Sequence, residues 1–101
     1  MSSGHEVRPQ KWRNVLDLYD NGEYSAIFGN YDGSKNRAVG VRWNGSTGVG
    51  YPNMAGHPTW YLEPKFLHKS ILLNLLEEVN ISTLKDKTKY IENILIALQE
   101  V

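Results

Sequence analysis

Apolar residues are packed most densely between Glu63 and Val79, in the stretch EPKFLHKSILLNLLEEV. Wound at about 100° per residue, Phe66, Leu67, Ile71, Leu72, Leu73, Leu75, Leu76 and Val79 cover most of a helical circumference, and only Ser70, Asn74 and Glu77 align as a polar strip. A helix apolar over so wide an arc needs cover from several directions. The segment is therefore expected to lie between a sheet on one flank and another helix on the other. Pro64 suits its first turn, where a missing N–H costs nothing.

The rest of the pattern predicts what does the covering. In Pro9 to Asp20, Trp12, Val15, Leu16 and Tyr19 fall at i, i+3, i+4 and i+7, which predicts a first helix stopped by Asn21-Gly22. Glu23 to Tyr31 alternates with apolar weight on both faces, as a central strand does. Asp32-Gly33 is a strong hairpin signal, and Arg37 to Trp43 follows as the partner strand, with Gly40 leaving room for a neighbouring group. Asn44 to Pro58 is rich in glycine, proline and asparagine and reads as a long loop. Thr59 to Leu62 is a short third strand. After Asn80-Ile81, a last helix is expected from Ser82 or Thr83 to about Glu100, with Thr83 and Asp86 as a capping box. The predicted architecture is α+β, a small three-stranded antiparallel sheet packed on helices in the order α-β-β-β-α-α. Residues 1–8 are expected to be a flexible tail and residues 9–101 a single domain.

Composition narrows the classes of function. Eleven lysines and arginines balance eleven aspartates and glutamates, so the whole-chain field favours neither nucleic acid nor an anionic membrane. The chain has no cysteine, which excludes disulfides, thiolate catalysis and Cys-ligated zinc. The first ten residues, MSSGHEVRPQ, lack the apolar core of a signal peptide, and no apolar run approaches a membrane span of about 20 residues. A cytoplasmic protein is expected.

Candidate chemistry is sparse. His57 is the one residue in the long loop suited to general acid–base work, but it has no partner at a diagnostic spacing; a hydrolase or lyase centred there needs a pocket holding a carboxylate beside it. His5, His57 and His68 are scattered over three segments and form no ligand pair, so no metal and no cofactor are expected. Two basic clusters, Lys65, His68 and Lys69, and Lys85, Lys87 and Lys89, sit where two helices are predicted to begin, with positive charge opposing the helix dipole. They are either solvated faces or anion contacts.

The order helix–strand–strand–strand–helix over Pro9 to Val79 resembles that of double-stranded-RNA-binding domains. The resemblance is one of topology. Gly56-His57-Pro58 has the residues of that family's Gly-Pro-x-His loop in another order, and Pro64-Lys65-Phe66-Leu67-His68-Lys69 departs from its lysine-rich helix start. It implies a nucleic-acid partner and carries no residue across; such a partner would use the two basic clusters, Lys65, His68, Lys69, Lys85, Lys87 and Lys89.

Three short clusters remain: Arg42-Trp43-Asn44-Gly45, Gly50-Tyr51-Pro52 and Pro58-Thr59-Trp60-Tyr61. Tryptophan and tyrosine dominate binding hot spots, but in a small domain they also serve to finish a core. The favoured reading is a small non-enzymatic binding or regulatory protein, such as an accessory factor, inhibitor or immunity protein. It would meet a protein partner through Trp43, Tyr51, Asn53, His57 and Tyr61 of the 44–62 aromatic loop. Tyr61 and Trp60 point to opposite faces of their strand, and Tyr61 is expected to be the exposed one. A homodimer through the two C-terminal helices is a further expectation, with Leu73 or Ile94 exposed at the contact.

Overall fold

The computed structural model describes residues 11–45 and 48–101; the predicted tail over residues 1–8, with His5, lies outside them. The elements run β1 (Trp12–Asp20), β2 (Tyr24–Tyr31), β3 (Ala38–Trp43), β4 (Asn53–Met54), β5 (His57–Pro58), β6 (Tyr61–Leu62), a 3-10 turn (Lys65–Leu67), α1 (His68–Ile81) and α2 (Lys87–Glu100). β1, β2, β3 and β6 form one antiparallel sheet in that spatial order, and β4 and β5 form a separate hairpin. The fold is α+β, with four strands in the main sheet where three were expected.

The segment expected as a first helix is the edge strand β1. Its register against β2 slips between Arg13 and Leu16 and again between Asp17 and Tyr19, each slip adding one residue to β1. A bulge reverses the two-residue alternation of a strand. Each bulge turns a same-face spacing of two into three, Trp12 to Val15 on one face and Leu16 to Tyr19 on the other, and the two pairs together imitate a helical stripe. The backbone is not helical: Asn14 lies at φ 52°. Trp12 and Val15 pack on one face of the sheet, while Leu16, Leu18 and Tyr19 pack on the other. Asn21-Gly22 is a hairpin turn rather than a helix stop, with Asn21 Oδ1 accepting from the Glu23 and Tyr24 amides at 2.9 and 2.8 Å. The order of elements is therefore no longer that of the double-stranded-RNA-binding domains.

The helices lie on one face of the sheet. α1 buries His68, Leu72, Leu75 and Val79, a single stripe; Leu73, Ile81 and, in the preceding turn, Phe66 are exposed. α2 buries Tyr90, Asn93, Ile94 and Ala97. Both stripes join Leu18, Ala26, Phe28, Val39 and Val41 in one core. The last helix does not lie behind the central one, as expected. It rests on β1, where Asn93 Nδ2 donates to the Asp17 carbonyl at 2.8 Å and the Tyr90 ring meets that of Tyr19 at 6.5 Å. α1 is therefore covered on two sides, with Ile71 and Leu76 partly buried against the core and Leu73 and Ile81 facing outward. The Thr83–Asp86 capping box is not formed, because α2 begins only at Lys87; Ser82 instead closes α1, its Oγ donating to the Val79 carbonyl at 2.7 Å. Among the described residues, no helix is long and apolar enough to cross a membrane.

The other face of the sheet carries a second, smaller cluster of Trp12, Ile27 and Trp60. The Trp12 ring lies across Gly40, where a Cβ would stand 2.8 Å from a ring carbon. Beyond it, the segment from Val49 to Trp60 is drawn down by Arg42. That side chain is almost completely buried. Its guanidinium donates to the carbonyls of Thr59 at 2.7 Å, Pro52 at 3.5 Å, and Val49, and lies 6.0 Å from the Trp60 ring. Burial lowers the Arg42 pKa from its ordinary value. Asn44 fixes the root of the loop: its amide donates to the Glu23 carbonyl at 2.7 Å, and its side chain accepts from Ser25 Oγ at 2.8 Å and donates to Asp20 Oδ1 at 3.2 Å.

Candidate contact surface

Strand pairing places four aromatic rings at one corner of the sheet. Tyr24 of β2 lies opposite Trp43 of β3, and Trp43 bridges to Tyr51, with amide–carbonyl bonds of 2.6 and 2.9 Å in the two directions. One step along, Ala26 faces Val41, and Val41 faces Tyr61 of β6. Alternation then puts Tyr24, Trp43, Tyr51 and Tyr61 on the face that carries the helices. The helices bury Ala26 and Val41 but leave the corner open: Trp43, Tyr51 and Tyr61 are 56%, 63% and 53% exposed. Tyr24 is half-buried, its ring meeting that of Trp43 in a T-shaped arrangement with centroids 4.6 Å apart.

These rings, with Val41, Arg42, Pro52 and Glu63, line a concavity of about 310 Å³. Their backbone supports are fixed. Tyr51 is held to β3 by the bridge, and Gly50 beside it, at φ 76°, sits where a Cβ would collide with the Trp43 carbonyl oxygen. Glu63 lies two residues beyond Tyr61 on the same face, its amide bonded to the Val39 carbonyl at 3.0 Å. Burial, and secondarily the negative charge of Glu63, raise the Tyr24 pKa, so this hydroxyl stays protonated at neutral pH.

Of the five residues expected at a protein contact, Trp43, Tyr51 and Tyr61 come together here. Asn53 and His57 do not. They lie exposed on the β4–β5 hairpin, where the Asn53 side chain donates to the Gly50 carbonyl at 3.0 Å. His57 borders neither this concavity nor the larger one described below. Trp60 is buried on the opposite face and Tyr61 exposed, as alternation demands. Tyr24, Pro52 and Glu63 are additions from the structure. Tyr24 and Glu63 had a legible signal in the hairpin register and in their spacing from Trp43 and Tyr61.

The basic residues do not form one surface. Lys65, His68 and Lys69 border a concavity of about 570 Å³ with Tyr31, Arg37, Glu63 and Glu100. His68 itself is buried, with Nε2 3.0 Å from the Glu63 carbonyl oxygen and 3.5 Å from the Val39 nitrogen, which removes it from any phosphate-facing set. Arg37 in this concavity is engaged by Glu100, Nε to Oε1 at 3.0 Å with a second bond to Oε2. That hydrogen-bonded pair raises the Arg37 pKa and lowers that of Glu100. Lys85, Lys87 and Lys89 lie at the far end of the helix pair, roughly 20 Å away along the 14-residue α1. Among the described residues, no group of three or more histidines, aspartates or glutamates is placed to hold a metal.

No protein family, no curated protein and no solved structure matches this chain.

Proposed function

We propose that this protein acts by binding another protein, and that the contact is centred on Trp43, Tyr51 and Tyr61, with Tyr24 and Pro52 beneath them. The observation that carries this reading is the exposure of three large aromatic rings on a rigidly supported sheet corner, beside helices that cover the rest of that face. Aromatic side chains supply large contact area at little entropic cost, and rings held by backbone pairing are pre-organised for it. A nucleic-acid contact is not favoured, because the lysines it would use divide between two ends of the molecule. Self-association through the two helices is the alternative: Ile94 is fully buried, but Leu73, Ile81, Leu95 and Ile96 are exposed.

Capture of partners from native lysate by the immobilised protein, with Tyr51→Ala and Lys85→Ala/Lys87→Ala/Lys89→Ala as parallel baits, tests the reading. A partner retained by the wild type and by the triple lysine variant, and weakened at least about tenfold by Tyr51→Ala, is expected. A partner lost with the lysines but held by Tyr51→Ala contradicts it.

A further inference from the structure

We infer that the group this concavity accepts is a cation, presented by a lysine or arginine side chain of the partner, with the four rings as its walls and Glu63 as its counter-charge. The inference rests on the contact reading above and adds the chemistry of the occupant. Three observations lead to it.

The first is the wall. An aromatic ring carries negative charge on its faces, and a cation within about 6 Å of a ring centroid is attracted to it. Tyr24, Trp43, Tyr51 and Tyr61 border one concavity of about 310 Å³, ample for an ammonium or guanidinium head and part of its methylene stem. The T-shaped approach of Tyr24 to Trp43 brings the two rings together at an angle, as in a cage rather than a flat stack.

The second is the charge. Glu63 is the one carboxylate among the residues lining the concavity, and its field reaches the Tyr24 hydroxyl. Among the described residues no ion pair involves it; the contact His68 makes at Glu63 is with the backbone carbonyl.

The third is the disposition of the cation already nearby. Arg42 borders the concavity, but it alternates with Val41 and Trp43 along β3 and spends its guanidinium on Thr59, Pro52 and Val49 carbonyls, toward Trp60 on the other face of the sheet. Its two terminal nitrogens are thus bonded to loop carbonyls away from the concavity, and Glu63 is left without a paired cation among the described residues. An anionic occupant would meet the Glu63 carboxylate among aromatic walls. A neutral apolar occupant would leave Glu63 to be desolvated against nothing.

The test uses the whole protein and a set of capped peptides alike except at one central residue: lysine, trimethyllysine, arginine, or norleucine, which keeps the lysine stem without the charge. Binding is read from the chemical shifts of the Val41 and Tyr61 backbone amides, which every variant retains. The cationic peptides are expected to bind at least about fivefold tighter than the norleucine peptide. Glu63→Gln should reduce that preference, leaving norleucine binding unchanged, and Trp43→Phe should keep it where Trp43→Leu loses it. Norleucine binding as tightly as lysine, a preference untouched by Glu63→Gln, or no shift with any cationic peptide at millimolar concentration overturns the inference. Should a captured partner still depend on Tyr51 in that case, the contact reading stands and only the chemistry of its occupant is wrong. Should partner binding ignore Tyr51 while the cationic peptides bind as expected, the site is a cation site and the protein-contact reading fails.

Discussion

Gly40 and Arg42 show how two residues on one strand shape the face opposite the helices. Gly40 lets Trp12 reach across β2 and close against Ile27. A methyl group there would press on Trp12 ring carbons at 2.8 and 2.9 Å, and the ring has a strand beneath it and a buried cluster around it. Gly40→Ala is expected to cost about 1–3 kcal/mol, the usual range for overpacking, measured by chemical denaturation, with a change in tryptophan emission as Trp12 is displaced. Two residues along, Arg42 collects the carbonyls of Val49, Pro52 and Thr59 and thereby positions Tyr51. Residue identities alone showed that Gly40 leaves space, because a glycine in mid-strand implies a close neighbour. They did not reveal which neighbour, nor that the arginine of the Arg-Trp-Asn-Gly cluster turns inward. That depends on the register of β3 against β2 and on a loop with no periodicity to read.

Elements with uninterrupted alternation and strong turn chemistry were legible, and those with bulges were not. β2 and β3 read plainly because Asp32-Gly33 joins two alternating runs. β1 read as a helix because two extra residues broke its alternation into a helical spacing. The breadth of the apolar arc on α1 was also legible, and two of its sides are covered, but full burial is confined to the stripe His68, Leu72, Leu75, Val79, with Ile71 and Leu76 partly buried beside it. Two neighbours on that helix should therefore differ. Leu72→Ala is expected to cost about 2–5 kcal/mol and Leu73→Ala less than about 1 kcal/mol, by urea denaturation. α2 offers a test by pH. Burial, with the charges of Asp20, Asp86 and Asp17, pushes the Tyr90 pKa up to about 12. An unfolded tyrosine ionises near 10, so above that pH the unfolded state sheds a proton that the folded state keeps. This contribution to stability is intact below pH ~10 and is lost as the pH rises through the folded value. Tyr90→Phe should lose less stability over that alkaline window than the wild type. An identical slope would mean that Tyr90 is not the buried anchor of α2.

At the scale of the whole molecule, two helices cover most of one sheet face, and a pinned segment covers part of the other. What is left over is the corner where Tyr24, Trp43, Tyr51 and Tyr61 meet. Three members of that corner were legible as separate aromatics in or flanking the long loop. Their convergence was not, because it is made by pairing between strands far apart in sequence, and Asn53 and His57 were included only because they share that loop. The account depends on this corner standing open in solution. Its three tryptophans supply an internal comparison, since Trp12 and Trp60 are 5% and 7% exposed and Trp43 is 56% exposed. The most direct test is the paramagnetic relaxation of the three indole N–H resonances by a soluble gadolinium chelate. The open corner predicts strong broadening of the Trp43 resonance with the Trp12 and Trp60 resonances spared. Equal protection of all three would mean that the aromatic segment folds down as a lid over its own core, and would contradict the contact surface and everything proposed to bind there.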